Sequence, residues 1–188
     1  MAAAAAAAPH PQHIWLISGY AGAGKDTAAT IMLEALGYRI AATASFAGAV
    51  KDEVARLYGI PRALMDTQEG KASRLKADGP TVREIIIAHA EGEKERTCDP
   101  YIWARRITPP AIAQHWILSD WRFPAEYISL RERFSDAAIH TVRVVRGDGC
   151  ADVDSYTERA LDSFQFDHIL DNSGSLLFLT RQIHEIIW

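Results

Sequence analysis

His13-Ile14-Trp15-Leu16-Ile17-Ser18-Gly19-Tyr20-Ala21-Gly22-Ala23-Gly24-Lys25-Asp26-Thr27 decides the architecture of this chain. The first six residues form a short apolar run that stops at a glycine cluster, the pattern of a strand buried on both faces of a parallel sheet. From Lys25 to Leu36 apolar residues recur at helical spacing, and Gly37 supplies a C-cap. Between them, Gly19 to Lys25 fits G-x-x-x-x-G-K in the context that gives this motif its meaning, after a strand and before a helix. Glycines let the backbone wrap around phosphate oxygens so that successive N–H groups point inward, and the helix N-terminus adds partial positive charge. Gly19, Ala21, Gly22, Ala23, Gly24, Lys25, Asp26 and Thr27 are therefore the expected nucleotide-binding residues. Lys25 is placed to follow charge onto a transferred phosphoryl group, and Thr27 to meet an α-phosphate. The plainer alternative is a glycine-rich turn that binds nothing. Asp26 departs from the usual pattern, because most such loops place a Ser or Thr there to hold Mg²⁺.

Outward from this stretch, strands and helices alternate. A second strand is expected near Tyr38 to Ala41, then a helix capped by Ser45 and running to Gly59. The polar stretch from Asp66 to Pro80 reads as a loop. Thr81, with Glu84 three residues on, opens a helix with a capping-box pattern, and Asp99-Pro100 opens the next. Further strands are expected at His115 to Ser119, Ile139 to Val145 and His168 to Leu170, with a helix from Pro124 and another at the C-terminus. The expected fold is a doubly wound parallel α/β sheet of five strands. Residues 1 to 12 read as an Ala-rich tail and 13 to 188 as one domain, with neither repeat nor linker.

The strand Trp116-Ile117-Leu118-Ser119 ends in Asp120, a second acidic element expected near a metal at the carboxyl ends of the strands; the alternative is a simple helix cap. Arg122 is suited to bidentate phosphate binding and Glu126 to orienting it or touching an acceptor sugar, against the alternative of a surface ion pair.

Composition excludes several classes. The chain of 188 residues is 48% apolar and 23% charged, enough for one core. A net charge of −4 argues against a dedicated nucleic-acid binder. Cys98 and Cys150 form no metal or disulfide pattern, which fits a reducing cytoplasm, and the seven histidines show no metal-ligand spacing. No stretch reaches membrane-span length and the opening lacks signal-peptide features.

Gly24-Lys25-Asp26-Thr27 together with Ser119-Asp120-Trp121-Arg122-Phe123-Pro124-Ala125-Glu126 resembles the deoxynucleoside monophosphate kinases of bacteriophages, with their GKDT loop and D-x-R-F-P-x-E strand end. The resemblance extends to Ser45-Phe46-Ala47 with Lys51, to Thr81-Val82-Arg83-Glu84-Ile85, to Asp99-Pro100 with Trp103, and to Glu158, Asp167 and Asn172-Ser173-Gly174-Ser175. It implies a P-loop nucleoside monophosphate kinase fold using ATP and Mg²⁺, with Asp26 and Asp120 toward the metal and Lys25, Arg122 and Asp120 in catalysis. It further implies an acceptor-binding region at about 45–107, with Lys51, Arg83 and Arg122 on the acceptor phosphate and Arg96 and Trp103 on phosphate and base. Arg143 and Arg146 would belong to a lid at about 146–157. Tyr156 departs from the family, which has His there. The partner implied is a small-molecule dNMP, with no nucleic acid and no membrane, a homodimer being left open; the compartment is the cytoplasm, that of the host if the chain is phage-encoded. Animal-type phosphomevalonate kinase shares the GKD loop and is the nearest alternative. A P-loop module that holds ATP without transferring phosphate is another, and a nucleic-acid-binding ATPase a distant one.

Overall fold

Strand β1 (His13–Ser18) is inaccessible along almost its whole length, since both of its neighbours are strands and both of its faces are covered. The computed structural model describes residues 10–147 and 159–188. Beside β1 lie β3 (His115–Leu118) and β4 (Ala138–Val145), with β2 (Ala41–Ala44) and β5 (His168–Asp171) outermost. The order is β2-β3-β1-β4-β5 and every pairing is parallel, with Ile14 in register with both Trp116 and Ile139. The five-stranded parallel α/β sheet expected from the sequence is thus the observed one.

Alternate residues of the strands serve opposite faces. On one face Trp15, Ile17, Ile117, Val142, Val144 and Leu170 pack against Ala28, Ala29, Met32 and Leu36 of α1 (Lys25–Leu36) and against the C-terminal helix (Leu176–Ile187) through Leu179 and Ile183. The other face carries Ile14, Leu16, Trp116 and Leu118, all fully buried. There Trp116 meets the edge of Phe134, which follows helix Pro124–Arg133, at 5.9 Å between ring centroids. Each such fully buried side chain contributes about 1.5–3 kcal/mol, so β1 owes its central place to its unbroken apolar run.

Contacts divide the described chain into two units. The sheet-bearing unit runs to Ser45 and resumes at Thr108, and a helical unit spans Phe46–Ile107. The helical unit holds α2 (Phe46–Tyr58), α3 (Arg62–Asp66), α4 (Gln68–Ala72), α5 (Val82–Thr97) and α6 (Ile102–Arg106). The later helices of the sheet-bearing unit include α7 (Pro124–Arg133) and α8 (Leu176–Ile187). Val50, Val54, Ile60, Met65, Val82 and Trp103 make the helical unit's own core.

Three local expectations are corrected. The second strand starts at Ala41 rather than Tyr38, because the Gly37 carbonyl accepts from the N–H groups of Ile40 and Ala41 and turns residues 38–40 outward. Residues 66–80 are not a plain loop. Thr67 Oγ1 caps α4 by accepting from Gly70 N at 3.0 Å, the Ser73 carbonyl accepts from Val82 N, and Arg74 bridges Thr81 antiparallel. The helix expected from Asp99-Pro100 begins only at Ile102, since Asp99 Oδ1 instead accepts from Tyr101 N in a tight turn. The Thr81/Glu84 capping box forms in both directions: Thr81 N donates to Glu84 Oε2 at 2.7 Å and Glu84 N to Thr81 Oγ1 at 3.2 Å.

Candidate functional site

The loop between β1 and α1 takes its shape from two glycines. Gly19 lies so close to β4 that an added Cβ would stand 2.5 Å from the Val144 carbonyl oxygen. Gly24 is the N-cap of α1 in the left-handed region, at φ 99° and ψ 26°, where L side chains are strained. Lys25 follows at the first helical position. Its Nζ donates to the carbonyl oxygens of Gly19 (2.8 Å) and Tyr20 (3.0 Å), so the ammonium lies against the loop it follows. Ala21 and Gly22 are exposed on that loop, Ala23 is buried, and Thr27 is exposed in the first turn of α1.

Asp26 also sits in that first turn. Its Oδ1 accepts from Ser119 Oγ at 2.8 Å, which ties the helix start to the residue just past β3. Asp120 comes next in the chain and is partly buried. Asp26 and Ser119 meet as oxygen donors, the class that Mg²⁺ selects, and Mg²⁺ commonly takes only one or two carboxylates beside water and phosphate. These residues fit that ion. Among the described residues no group of three or more His, Cys, Asp or Glu is arranged to hold a metal.

Glu126 acts on the backbone that carries Arg122. Its Oε2 accepts from the backbone N–H groups of Arg122 (2.9 Å) and Phe123 (3.0 Å), so the carboxylate satisfies the otherwise orphaned donors at the start of α7. This fixes the backbone that carries Arg122, whose side chain is exposed.

Arg143 is corrected too. It lies within β4, in register with Ser18, and is only 8% exposed. Its guanidinium donates to Ser18 Oγ (3.2 Å) and Asp162 Oδ1 (3.1 Å) and covers the Tyr20 ring, 4.6 Å from its centroid. Tyr20 OH donates to the same Asp162 oxygen at 2.8 Å. A sheet residue so enclosed supports the loop after β1 through Tyr20 and is not part of a mobile lid. Arg146 is exposed just past β4, and beyond Gly147 the expected lid, Tyr156 and Glu158 lie outside the described residues.

In the helical unit Lys51 Nζ donates to Asp66 Oδ1 at 2.9 Å, joining α2 to α3. That bond, opposed by partial burial and helped by Arg62, holds the Asp66 carboxyl below its usual range. Arg83 donates to Gln68 Oε1 at 2.6 Å. Arg96 grips both oxygens of Glu93 at 2.8 Å, and with Arg106 it lowers the Glu93 carboxyl to about 2. Trp103 is 5% exposed, with its Nε1 donating to the Ala90 carbonyl at 3.0 Å. Its indole is packed inside the unit and so is not available to stack on an acceptor base.

Sequence reasoning missed Ser119, Asp162 and Ser18 as parts of the site. Ser119 had a signal, a hydroxyl directly before a strand-end acid. Asp162 had none, because only the fold brings it to Tyr20 and Arg143.

No protein-family model matches the chain. Among solved structures the chain is similar to the Mycobacterium tuberculosis APS kinase CysC in complex with AMPPNP and APS, at 14% identity and a TM-score of 0.43, covering 95% of this chain and 96% of that one. The Cys556Ala mutant of the same enzyme gives 13% and 0.42 with the same coverage. TT1252 from Thermus thermophilus gives 17% and 0.40, covering 95% and 97%. Likeness at this level assigns no activity and no residue role.

Proposed function

We propose that this chain is an ATP-dependent P-loop kinase that phosphorylates a deoxynucleoside monophosphate. The observation that carries the reading is the pairing of Lys25, whose ammonium lies on the loop carbonyls of Gly19 and Tyr20, with an Asp26–Ser119 oxygen pair in the adjoining helical turn. That places one cation and a hard-oxygen donor set at a single strand–loop–helix junction, which is the equipment of phosphoryl transfer.

In this reading the loop N–H groups and Lys25 hold the β- and γ-phosphates of ATP. An oxygen of the acceptor's phosphate forms a bond to the γ-phosphorus while the bond from that phosphorus to the bridging oxygen breaks, and ADP departs with the electron pair. The acceptor phosphate is already ionised, so no side chain has to remove a proton. Lys25 and Arg122 neutralise charge spreading over the equatorial oxygens. Asp26 and Asp120 would hold magnesium, which would supply further charge neutralisation. Lys51, Arg83 and Arg96 are proposed for the acceptor phosphate, which would require each to exchange its present partner for the ligand. The deoxynucleotide acceptor is supported by the resemblance of Arg122-Phe123-Pro124 and of Thr81-Val82-Arg83.

The test is ADP release with ATP-Mg against dAMP, dGMP, dCMP, dTMP, their ribose counterparts and phosphomevalonate. Turnover with one or more deoxynucleotides, abolished in Lys25→Ala, is the expected result. Turnover of phosphomevalonate alone would replace the acceptor. ATP binding with no acceptor-dependent release would overturn the kinase reading in favour of a binding module.

A further inference from the structure

The geometry points to Asn172 as a positioning residue that sets the direction of the phosphate loop's backbone amides, an inference that rests on the reading of Gly19 to Lys25 as a site for the phosphates of ATP. Asn172 follows β5, and its Nδ2 donates to the carbonyl oxygen of Ala23, inside the loop, at 2.8 Å. A carbonyl only accepts, so the contact requires the amide NH₂ and could not be made by a carboxylate. In a trans peptide the C=O and the following N–H point in opposite directions. Holding the Ala23 carbonyl toward Asn172 therefore turns the Gly24 N–H away from it, to the side on which such a loop receives an anion. The approach is close: a Cβ on Gly24 would lie 2.2 Å from Asn172 Nδ2, so the side chain braces the same peptide by contact as well as by hydrogen bond.

Asn172 is itself firmly held. Its own N–H donates to the Val145 carbonyl of β4 at 2.7 Å. The preceding residue, Asp171, has both backbone groups engaged by one side chain of α8, its N–H donating to Gln182 Oε1 (2.9 Å) and its carbonyl accepting from Gln182 Nε2 (2.8 Å). A continuous path of hydrogen bonds thus runs from α8 through Asp171 and Asn172 to the loop. Ser173 and Gly147 extend it, the Gly147 N–H donating to Ser173 Oγ at 2.6 Å.

The experiment measures affinity for ATP and, separately, for inorganic triphosphate by calorimetry, together with the melting temperature of the ligand-free protein, in Asn172→Asp, Asn172→Ala and Gln182→Ala. Asn172→Asp keeps the shape, removes the donor and sets a carboxylate oxygen against a carbonyl oxygen. It is expected to weaken both ligands by about tenfold or more, Asn172→Ala by less, and Gln182→Ala least, with melting temperature changing little. Undiminished affinity in Asn172→Asp, or a loss that merely follows a fall in melting temperature across the three variants, overturns the proposal. If the parent protein binds triphosphate but not ATP, the nucleotide reading fails while Asn172 is still judged on triphosphate. If it binds neither, both fall.

Discussion

At the scale of single residues, the substitution of a carboxylate for the hydroxyl that usually follows the P-loop lysine changes where the hydroxyl comes from. Asp26 occupies that place, and Ser119, arriving from the end of β3, donates to it at 2.8 Å. Oxygen donors of both kinds are therefore kept at the helix start, one local and one delivered by the sheet. The pairing also orients the Asp26 carboxylate, which a flexible side chain at an exposed position would otherwise leave undefined. On the proposed kinase reading, Ser119→Ala is expected to raise the Mg²⁺ concentration needed for half-maximal turnover by about tenfold, because the carboxylate proposed for the metal would lose its orienting partner. Affinity for ATP without metal should stay unchanged. A Mg²⁺ titration of initial rate checks this, and an unaltered Mg²⁺ requirement would show that Ser119 has no part in holding the ion.

The next scale is the secondary-structure element, where α5 shows how much of a helix is settled by its ends. Its first turn is closed by the reciprocal Thr81/Glu84 bonds, which were legible from residue spacing alone. Its last is closed by Cys98, which adopts φ 51° and ψ 32°, the left-handed geometry usually given to glycine. Cys98 is exposed and free, so its side chain contributes little packing to set against that strain. Cys98→Gly is expected to stabilise the protein by about 1 kcal/mol, seen as a higher midpoint in urea denaturation. An unchanged or lower midpoint would mean that the thiol contributes more than its exposure implies. The ion pairs around α5 were not legible. Arg96 with Glu93 is local, but the Arg106–Glu93 bond joins α6 to α5 and depends on how the two helices pack.

Across the whole sheet-bearing unit, the parallel register assembles something that the sequence scatters. His13, His115, His140 and His168, from four different strands, lie in one layer on the face that α1 and α8 cover, toward the amino ends of the strands. His13 stacks on His115 at 4.7 Å and on His140 at 5.3 Å, and His140 stacks on Trp15 at 4.1 Å. His13 Nδ1 and His140 Nε2 are 3.0 Å apart, hydrogen-bonding distance. Burial, then the neighbouring His13, lowers the pKa of both His115 and His140 below the ordinary 6.5; His168 lowers His140 further, and Asp167 partly offsets this. The folded state therefore disfavours their protonation relative to the unfolded chain. Stability from this layer is complete above about 6.5 and is lost as pH falls through that value toward the lowered folded pKa values. Asp167 titrates in a separate window. Burial raises it, but the hydroxyl and N–H of Thr141 outweigh that and hold it below 3.8, so its contribution is lost only in stronger acid. Urea-unfolding free energy should thus fall between pH 7.5 and 5.5, and His140→Gln should flatten that slope. An equal slope in the variant would move the cause elsewhere.

The strand–loop–helix start, the glycine that ends α1, the Thr81/Glu84 cap and the five-strand parallel class were all readable from the sequence, because each depends on neighbours within a few residues and on hydrophobic periodicity. The loop's shape was readable for the same reason, since Gly24 and Lys25 set it through the backbone beside them. Asp162 on Arg143 and Tyr20, Ser119 on Asp26, Asn172 on Ala23 and the histidine layer were decided by the tertiary structure alone, whereas helical spacing with Ile102 and Ile107 already allowed Trp103 a core place. Each joins residues far apart in the chain, and strand register or helix packing, not local sequence, sets which side chains then meet.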